Sequence, residues 1–167
     1  EVLLRGIAKL QQLHPEVSGR LMCWLVGRSE GSYAELAQSL EISNRVRFVP
    51  PLTYAHSLAV MSAADVLVSL EMRQWTQVTF ASKLVDYLGA GKPIMGIAPK
   101  DSYTEKLLES WKQPCCDVGD EDSIAAYLKR VASGESWPRP DDTIVEGYSG
   151  DAAGRKLSAV LGELMPQ

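Results

Sequence analysis

The segment from Phe80 to Ile97, FASKLVDYLGAGKPIMGI, constrains the fold more than any other part of the chain. Phe80, Leu84 and Leu88 recur at helical spacing and predict one apolar helix face, with the polar residues on the opposite side. Pro93 forbids continuation of the helix, and the apolar residues after it predict a short strand that is buried on both faces. The segment therefore predicts a helix, a tight turn and a parallel strand.

Other short apolar runs alternate with helical patterns along the chain. Four of them predict strands, at Arg20–Val26, Val46–Val49, Asp65–Leu70 and Cys115–Val118. Strands that alternate with helices favour a parallel sheet joined by right-handed crossovers. The sequence therefore predicts an α/β fold, a Rossmann-like three-layer sandwich with a mostly parallel sheet. We expect residues 1–133 to form this domain and residues 134–167 to form a Pro/Gly/Ser-rich connector and a C-terminal helix.

Composition excludes several classes of function. The chain has 167 residues and a net charge of −4, which gives no electrostatic basis for binding nucleic acid. No apolar stretch approaches the roughly 18 residues of a membrane-spanning helix, and the N-terminus lacks the features of a signal peptide. The three cysteines show no metal or disulfide spacing and predict free thiols in a reducing compartment. The two histidines have no neighbouring ligands, so we expect no metal site.

The residues from Ser82 to Ile94, SKLVDYLGAGKPI, resemble the donor-binding segment of the C-terminal domain of retaining GT-B glycosyltransferases. The resemblance implies that this chain is the C-terminal half of a GT-B fold and binds a nucleotide-diphosphate sugar, a UDP- or GDP-sugar. It places Asp86 on the ribose hydroxyls and the backbone after Val49 on the base. Val78 departs from the family, whose E-x7-E pattern has glutamate at that position, and the nearest upstream acidic residue is Glu71.

The candidate donor-binding residues are Gly27, Arg28, Val49, Thr79, Ser82, Lys83, Asp86, Lys100 and Ser102. Most of them follow predicted strands, where doubly wound sheets bind ligands, and several sit at helix N-termini, where unpaired N–H groups and the helix dipole favour an anion. Simpler interpretations stay open at three places. Gly27 could serve only a turn, Lys83 could pair with Asp86 on a solvated helix face, and Ser102 with Glu105 has the spacing of a capping box.

The resemblance also implies what this chain lacks. Catalytic residues and the acceptor site are expected in a missing N-terminal GT-B domain, and a first strand with a basic loop is expected upstream of Glu1. We therefore expect a hexosyltransferase of polysaccharide biosynthesis, working in the cytoplasm or at the inner face of the membrane, and an isolated chain without activity. Two alternatives are a sugar-nucleotide epimerase of GT-B architecture and a non-catalytic flavodoxin-like or other α/β binding or interaction module.

Overall fold

A computed structural model describes residues 1–28, 31–71 and 82–164, and of residues 162–164 only the backbone. Helices cover much of this part of the chain, at α1 (Val2–Leu13), α2 (Pro15–Ser18), α3 (Gly31–Ser39), α4 (Tyr54–Ala63), α5 (Lys83–Ala90), α6 (Tyr103–Ser110), α7 (Glu121–Ala132), α8 (Asp142–Gly147) and α9 (Gly150–Leu164). The strands are β1 (Cys23–Val26), β2 (Val46–Val49), β3 (Leu67–Leu70), β4 (Ile94–Ile97) and β5 (Cys115–Cys116).

The strands form two parallel sheets. Strands β1 and β2 pair in one sheet, and β3, β4 and β5 pair in that order in the other. The alternation of strands and helices confirms the predicted α/β class and the parallel pairing. The last strand is two residues long, shorter than the predicted Cys115–Val118, because the chain turns before α7.

The larger core lies beneath α1 and α7. Helix α1 buries Leu3, Leu4, Ile7 and Leu10, which are at most 3% exposed. Helix α7 approaches α1 closely at Gly6, where an added Cβ would lie 2.3 Å from Ile124 Cγ2. A glycine at this position therefore allows the two helices to pack backbone against side chain.

A second core cluster lies where α5 and α6 pack on β4. It is built from Leu84, Leu88, Ile94, Leu108 and Trp111 with their neighbours. Every residue of β4 is buried, as the sequence predicted. Gly96 in this strand leaves room for side chains of α6 and β5, because an added Cβ there would lie 2.4 Å from Leu108 Cδ1 and 2.6 Å from Cys115 Sγ.

The strand β1 differs from the prediction that it would be covered on both faces. Trp24 is 47% exposed and Val26 is 40% exposed. Both residues line a cavity of about 1110 Å³ that lies between the two sheets and is also lined by Val68 and Leu70 of β3. We call this cavity the inter-sheet groove. The strand is half-buried because the described residues place neither a strand nor a helix against that side.

The segment between α7 and α8, predicted to be a connector, packs against the domain. Trp137 is 6% exposed, and its Nε1 donates a hydrogen bond to the Ile94 carbonyl at 3.0 Å. The Gln113 side chain donates to the Pro138 carbonyl at 3.0 Å and accepts from the Ile94 amide at 2.9 Å. These bonds hold residues 137–138 against β4, although their composition is that of a linker.

Candidate functional site

The ends of β1 and β2 meet at one point. The Gly27 amide, directly after β1, donates to the Val49 carbonyl at the end of β2 at 2.9 Å. Gly27 has a φ of +133°, in the region that favours glycine, so the turn needs this residue. Arg28 follows with an exposed side chain at the mouth of the inter-sheet groove. The predicted residues Gly27, Arg28 and Val49 are thus brought together at the carboxyl ends of two strands.

The first turn of α5 faces the end of β3. Ser82 precedes the helix, and its side chain makes no cap hydrogen bond. Lys83 Nζ donates a hydrogen bond to the Leu70 carbonyl at 3.5 Å. Burial lowers the pKa of Lys83 from its ordinary value, while the nearby Glu71 carboxylate opposes this shift. The lysine is therefore a partly desolvated cation, and its charge is less screened than that of a surface lysine.

Asp86 lies one turn further along α5 and contacts a different helix. The Tyr54 hydroxyl, in the first turn of α4, donates to Asp86 Oδ1 at 2.9 Å. This hydrogen bond and the charge of Asp86 raise the pKa of Tyr54, so the hydroxyl stays protonated at neutral pH. Helix α4 is fixed at this end by Thr53, whose side chain accepts a hydrogen bond from the His56 amide at 3.3 Å.

The simpler interpretation of Lys83 and Asp86, an ion pair along one helix face, is not what the structure shows. Lys83 bonds to the end of β3 and Asp86 bonds to Tyr54 after β2, and the contacts between described residues include no ion pair of the two. Tyr54 was not among the residues predicted from the sequence. The only signal for it was an aromatic residue in the first turn of a helix that directly follows a predicted strand.

The candidates after β4 are arranged differently. Ser102 is 2% exposed, and its Oγ accepts a hydrogen bond from the Glu105 amide at 3.1 Å. The Glu105 carboxylate accepts from the amide of Asp101, the residue before the N-cap, so the reciprocal bond of the predicted capping box is displaced by one residue. Lys100 is exposed in the turn before α6. No contact among the described residues links Lys100 or Ser102 to Lys83 or Asp86, and Thr79 lies outside the described residues.

The inter-sheet groove opens at this edge beside Lys83. Arg28, Glu71 and Lys83 line it together with Glu1 at the start of α1. Glu71 Oε2 is buried and has no hydrogen-bond partner among the described residues, which is uncommon for a buried side-chain oxygen. A second cavity of about 490 Å³, lined by Arg130 and Trp137, contains none of the candidate residues.

The described part of the chain lacks the features of a metal site, a membrane-spanning helix and a reactive thiol. No group of three or more His, Cys, Asp or Glu residues there is placed to hold a metal ion. Within the same ranges, no helix is long and apolar enough to span a membrane. The three cysteines are free, as predicted, and burial raises the pKa of Cys23 to about 11 and of Cys115 and Cys116 to about 12. These thiols therefore stay protonated at neutral pH.

The site thus combines a partly desolvated lysine, a helix N-terminus and a carboxylate at the carboxyl ends of parallel strands, the edge at which open α/β sheets bind ligands. Comparison with known proteins narrows this class. The chain is 27% identical to a D-inositol 3-phosphate glycosyltransferase of Rhodococcus jostii (strain RHA1) over 89% of its own length and 36% of the relative. A D-inositol 3-phosphate glycosyltransferase of Salinispora arenicola (strain CNS-205) is 25% identical over 89% of this chain and 37% of the relative.

Two solved structures share the fold. AviGT4, a glycosyltransferase involved in avilamycin A biosynthesis, matches with a TM-score of 0.67 and 13% identity over 100% of this chain and 48% of that one. WaaG, a glycosyltransferase involved in lipopolysaccharide biosynthesis, matches with a TM-score of 0.59 and 15% identity over 86% of this chain and 36% of that one. No protein-family model matches the chain.

These likenesses confirm the resemblance that Ser82 to Ile94 predicted: the chain has the fold of part of a GT-B glycosyltransferase, and the relatives named above are glycosyltransferases. It spans about a third of the length of the curated relatives it matches.

Proposed function

We propose that this chain is the donor-binding half of a glycosyltransferase that transfers a sugar from a nucleotide-diphosphate sugar to a glycan, lipid or small-molecule acceptor. The observation that carries the proposal is the placement of Lys83 and Asp86. They lie one turn apart on α5, yet Lys83 donates to the Leu70 carbonyl at the end of β3, and Asp86 accepts from Tyr54, which lies in the helix after β2. A cation and a carboxylate with separate partners at one edge of the sheets suit a ligand that carries both an anionic diphosphate and the donor hydroxyls of a ribose.

The diphosphate would lie at the start of α5. Ser82 gives α5 no side-chain cap hydrogen bond, and the positive end of the helix dipole favours an anion at this position. Lys83 adds a full positive charge, and Arg28 at the groove mouth adds a second. These groups would stabilise the negative charge that develops on the diphosphate when the bond to the sugar breaks.

The base would contact the backbone after Val49. Pro50 and Pro51 follow this residue and have no N–H, so until Leu52 the backbone offers carbonyl acceptors only. The Val49 carbonyl is already bonded to Gly27. Such a backbone favours a base edge that donates, such as N3–H of uracil or N1–H of guanine. Adenine also donates, through its 6-amino group, so the expectation of a UDP- or GDP-sugar rests on the resemblance of Ser82 to Ile94.

The acceptor and the catalytic groups would belong to a second domain. Helix α9 supports this proposal, because Leu157, Val160 and Leu161 on it are 60%, 52% and 48% exposed. Three exposed apolar residues at helical spacing form a stripe of the kind that packs against another part of a protein. The relatives named above are about three times longer than the matched region, which is long enough for such a domain.

The inter-sheet groove supports a further strand between β1 and β3. The Cys23 and Gly27 amides donate toward β2, and the Leu67 and Glu71 amides donate toward β4. In a parallel ladder alternate residues point to opposite sides, so the backbone groups of Trp24 and Val26 on β1, like those of Val68 and Leu70 on β3, face the groove.

Side chains occupy part of that edge. The Tyr87 hydroxyl donates to the Val68 carbonyl at 3.2 Å, as Lys83 does to Leu70. Glu1, at the start of α1, lines the same groove. We place here a strand supplied by polypeptide that leads into α1, because a strand, α1 and β1 would then form one right-handed parallel crossover.

Calorimetric titration of the chain with UDP, GDP and ADP tests the function. One nucleotide should bind, and Lys83→Gln or Asp86→Asn should weaken it at least tenfold, since each removes a hydrogen bond to a charged group. Lys92→Gln, at the other end of α5, is the matched control and should bind like the unaltered chain. Sugar turnover is not the readout, because we expect none from this chain alone.

The proposal fails if no nucleotide binds to the folded chain even when its natural upstream segment is present. It also fails if both the Lys83 and the Asp86 variants bind as tightly as the unaltered chain.

A further inference from the structure

The contact between Tyr54 and Asp86 leaves two acceptor positions side by side. Tyr54 donates its only hydroxyl proton to Asp86 Oδ1 at 2.9 Å. The phenol oxygen keeps lone pairs that can accept a hydrogen bond, and Asp86 Oδ2 can accept another. Two adjacent acceptors, fixed by one short hydrogen bond, match the two donors of a vicinal diol.

Tyr54 does not occupy this position to fill the core. Its side chain is 66% exposed, and α4 buries none of its residues fully. The hydrogen bond to Asp86 therefore contributes little to the stability of the fold, because water could bond to this exposed hydroxyl equally well. The two prolines before Thr53 and the Thr53 cap fix where α4 begins, so the tyrosine is presented from a rigid helix end.

We propose that Tyr54 binds the ribose together with Asp86: one of the two ribose hydroxyls donates to Asp86 Oδ2 and the other donates to the Tyr54 oxygen. This inference rests on the proposed function, which puts a nucleotide at this edge, and adds a second residue that contacts the sugar of the nucleoside. The raised pKa of Tyr54 fits this role, since the hydroxyl stays protonated and donates to Asp86 throughout the neutral range.

The test is a set of titrations in which the protein loses one hydrogen-bonding side chain and the ligand loses one ribose hydroxyl. The chain, Tyr54→Phe and Asp86→Asn are titrated with UDP, 2′-deoxy-UDP and 3′-deoxy-UDP, and with the three guanine analogues in parallel. Tyr54→Phe keeps the ring and removes only the oxygen. Tyr148→Phe is the matched control, because Tyr148 contacts Trp111 with its ring, at a centroid distance of 5.2 Å, on another part of the molecule.

Tyr54→Phe should weaken binding of the ribonucleotide about two- to tenfold, the value of one neutral hydrogen bond. It should leave unchanged the affinity for whichever deoxy analogue lacks the hydroxyl that Tyr54 holds, since the partner is then already gone. Asp86→Asn should weaken the ribonucleotide and the deoxy analogue that keeps the hydroxyl bound by Asp86, and the control should weaken none of the ligands.

Two results overturn the inference while the proposed function stands. One is equal binding of all three ligands by Tyr54→Phe and the unaltered chain. The other is an equal loss for all three, which would mean that Tyr54 only orients Asp86. If no nucleotide binds to the folded chain even when its natural upstream segment is present, the inference and the proposed function are overturned together.

Discussion

At the scale of single residues, Lys83 shows how the fold partly buries a cation that can bind an anion. Its side chain is drawn over the end of β3, where burial lowers its pKa and Glu71 opposes that shift. Its described hydrogen bond, to the Leu70 carbonyl, is long at 3.5 Å, so little is lost if a phosphate oxygen replaces the carbonyl. A lysine held in this way gains more from an anion than a fully hydrated one does.

The lowered pKa of Lys83 predicts a pH dependence of nucleotide binding. The charged form is the one that binds a diphosphate, and it is lost at pH values below the ordinary lysine pKa of about 10.4. Affinity should therefore fall as the pH rises through the alkaline range, and binding there should be accompanied by proton uptake. Calorimetry in buffers of different ionisation enthalpy measures both quantities. A profile as steep for Lys83→Gln as for the unaltered chain would contradict this account.

At the scale of helices and strands, two glycines illustrate opposite uses of the same residue. Gly6 lies where α7 crosses α1, and an added Cβ would meet Ile124. Gly89, in α5, has nothing within 4 Å of an added Cβ and does not have a positive φ. The first glycine allows close packing, and the second only loosens a helix.

This difference predicts stability changes of opposite sign. Gly6→Ala should destabilise the chain by about 1 to 3 kcal/mol through overpacking. Gly89→Ala should stabilise it by about 0.5 to 1 kcal/mol, because alanine is the better helix former. Urea unfolding followed by circular dichroism gives both values. A stabilising Gly6→Ala would show that α1 and α7 do not pack as described.

The elements themselves were largely predictable from local pattern. Helices such as α5 and α7 repeat apolar residues at helical spacing, and β4 is a buried run between a proline turn and a cap, so each carries its own signal. Contacts between distant segments carry no such signal. The bond of Tyr54 to Asp86 joins residues 32 positions apart, and that of Trp137 to Ile94 joins residues 43 apart.

Lys83 and Asp86 were predicted as candidate residues from the resemblance, but not their separate partners. The half-exposed β1 was also missed, because its composition is that of a strand covered on both faces and the open side depends on what lies beside it.

At the scale of the whole molecule, the inter-sheet groove and the exposed stripe of α9 are the two features on which we base the proposal of further polypeptide packed against this domain. The groove separates two parallel sheets whose facing edges have no strand partner among the described residues. A strand in the groove would join the two sheets into the single sheet that the sequence predicted.

Amide hydrogen exchange tests this continuation. In the chain alone, the amides of Trp24, Val26, Val68 and Leu70 should exchange quickly, and those of Leu25 and Ser69 should be protected by their partner strands. Extension of the chain by its natural upstream segment should protect the four groove-facing amides. If these four amides remain unprotected in the extended chain, the groove does not hold a strand.

The most direct test of the central claim is an NMR titration that shows where a nucleotide binds. A ¹⁵N-labelled chain is titrated with UDP and with GDP, and the amide shifts are mapped onto the structure. The account predicts that the largest changes fall at Gly27, Arg28, Leu52 and the first turn of α5 from Lys83 to Asp86. Changes confined to the cavity beside Trp137, or none at saturating nucleotide, would contradict a donor site at this edge of the sheets.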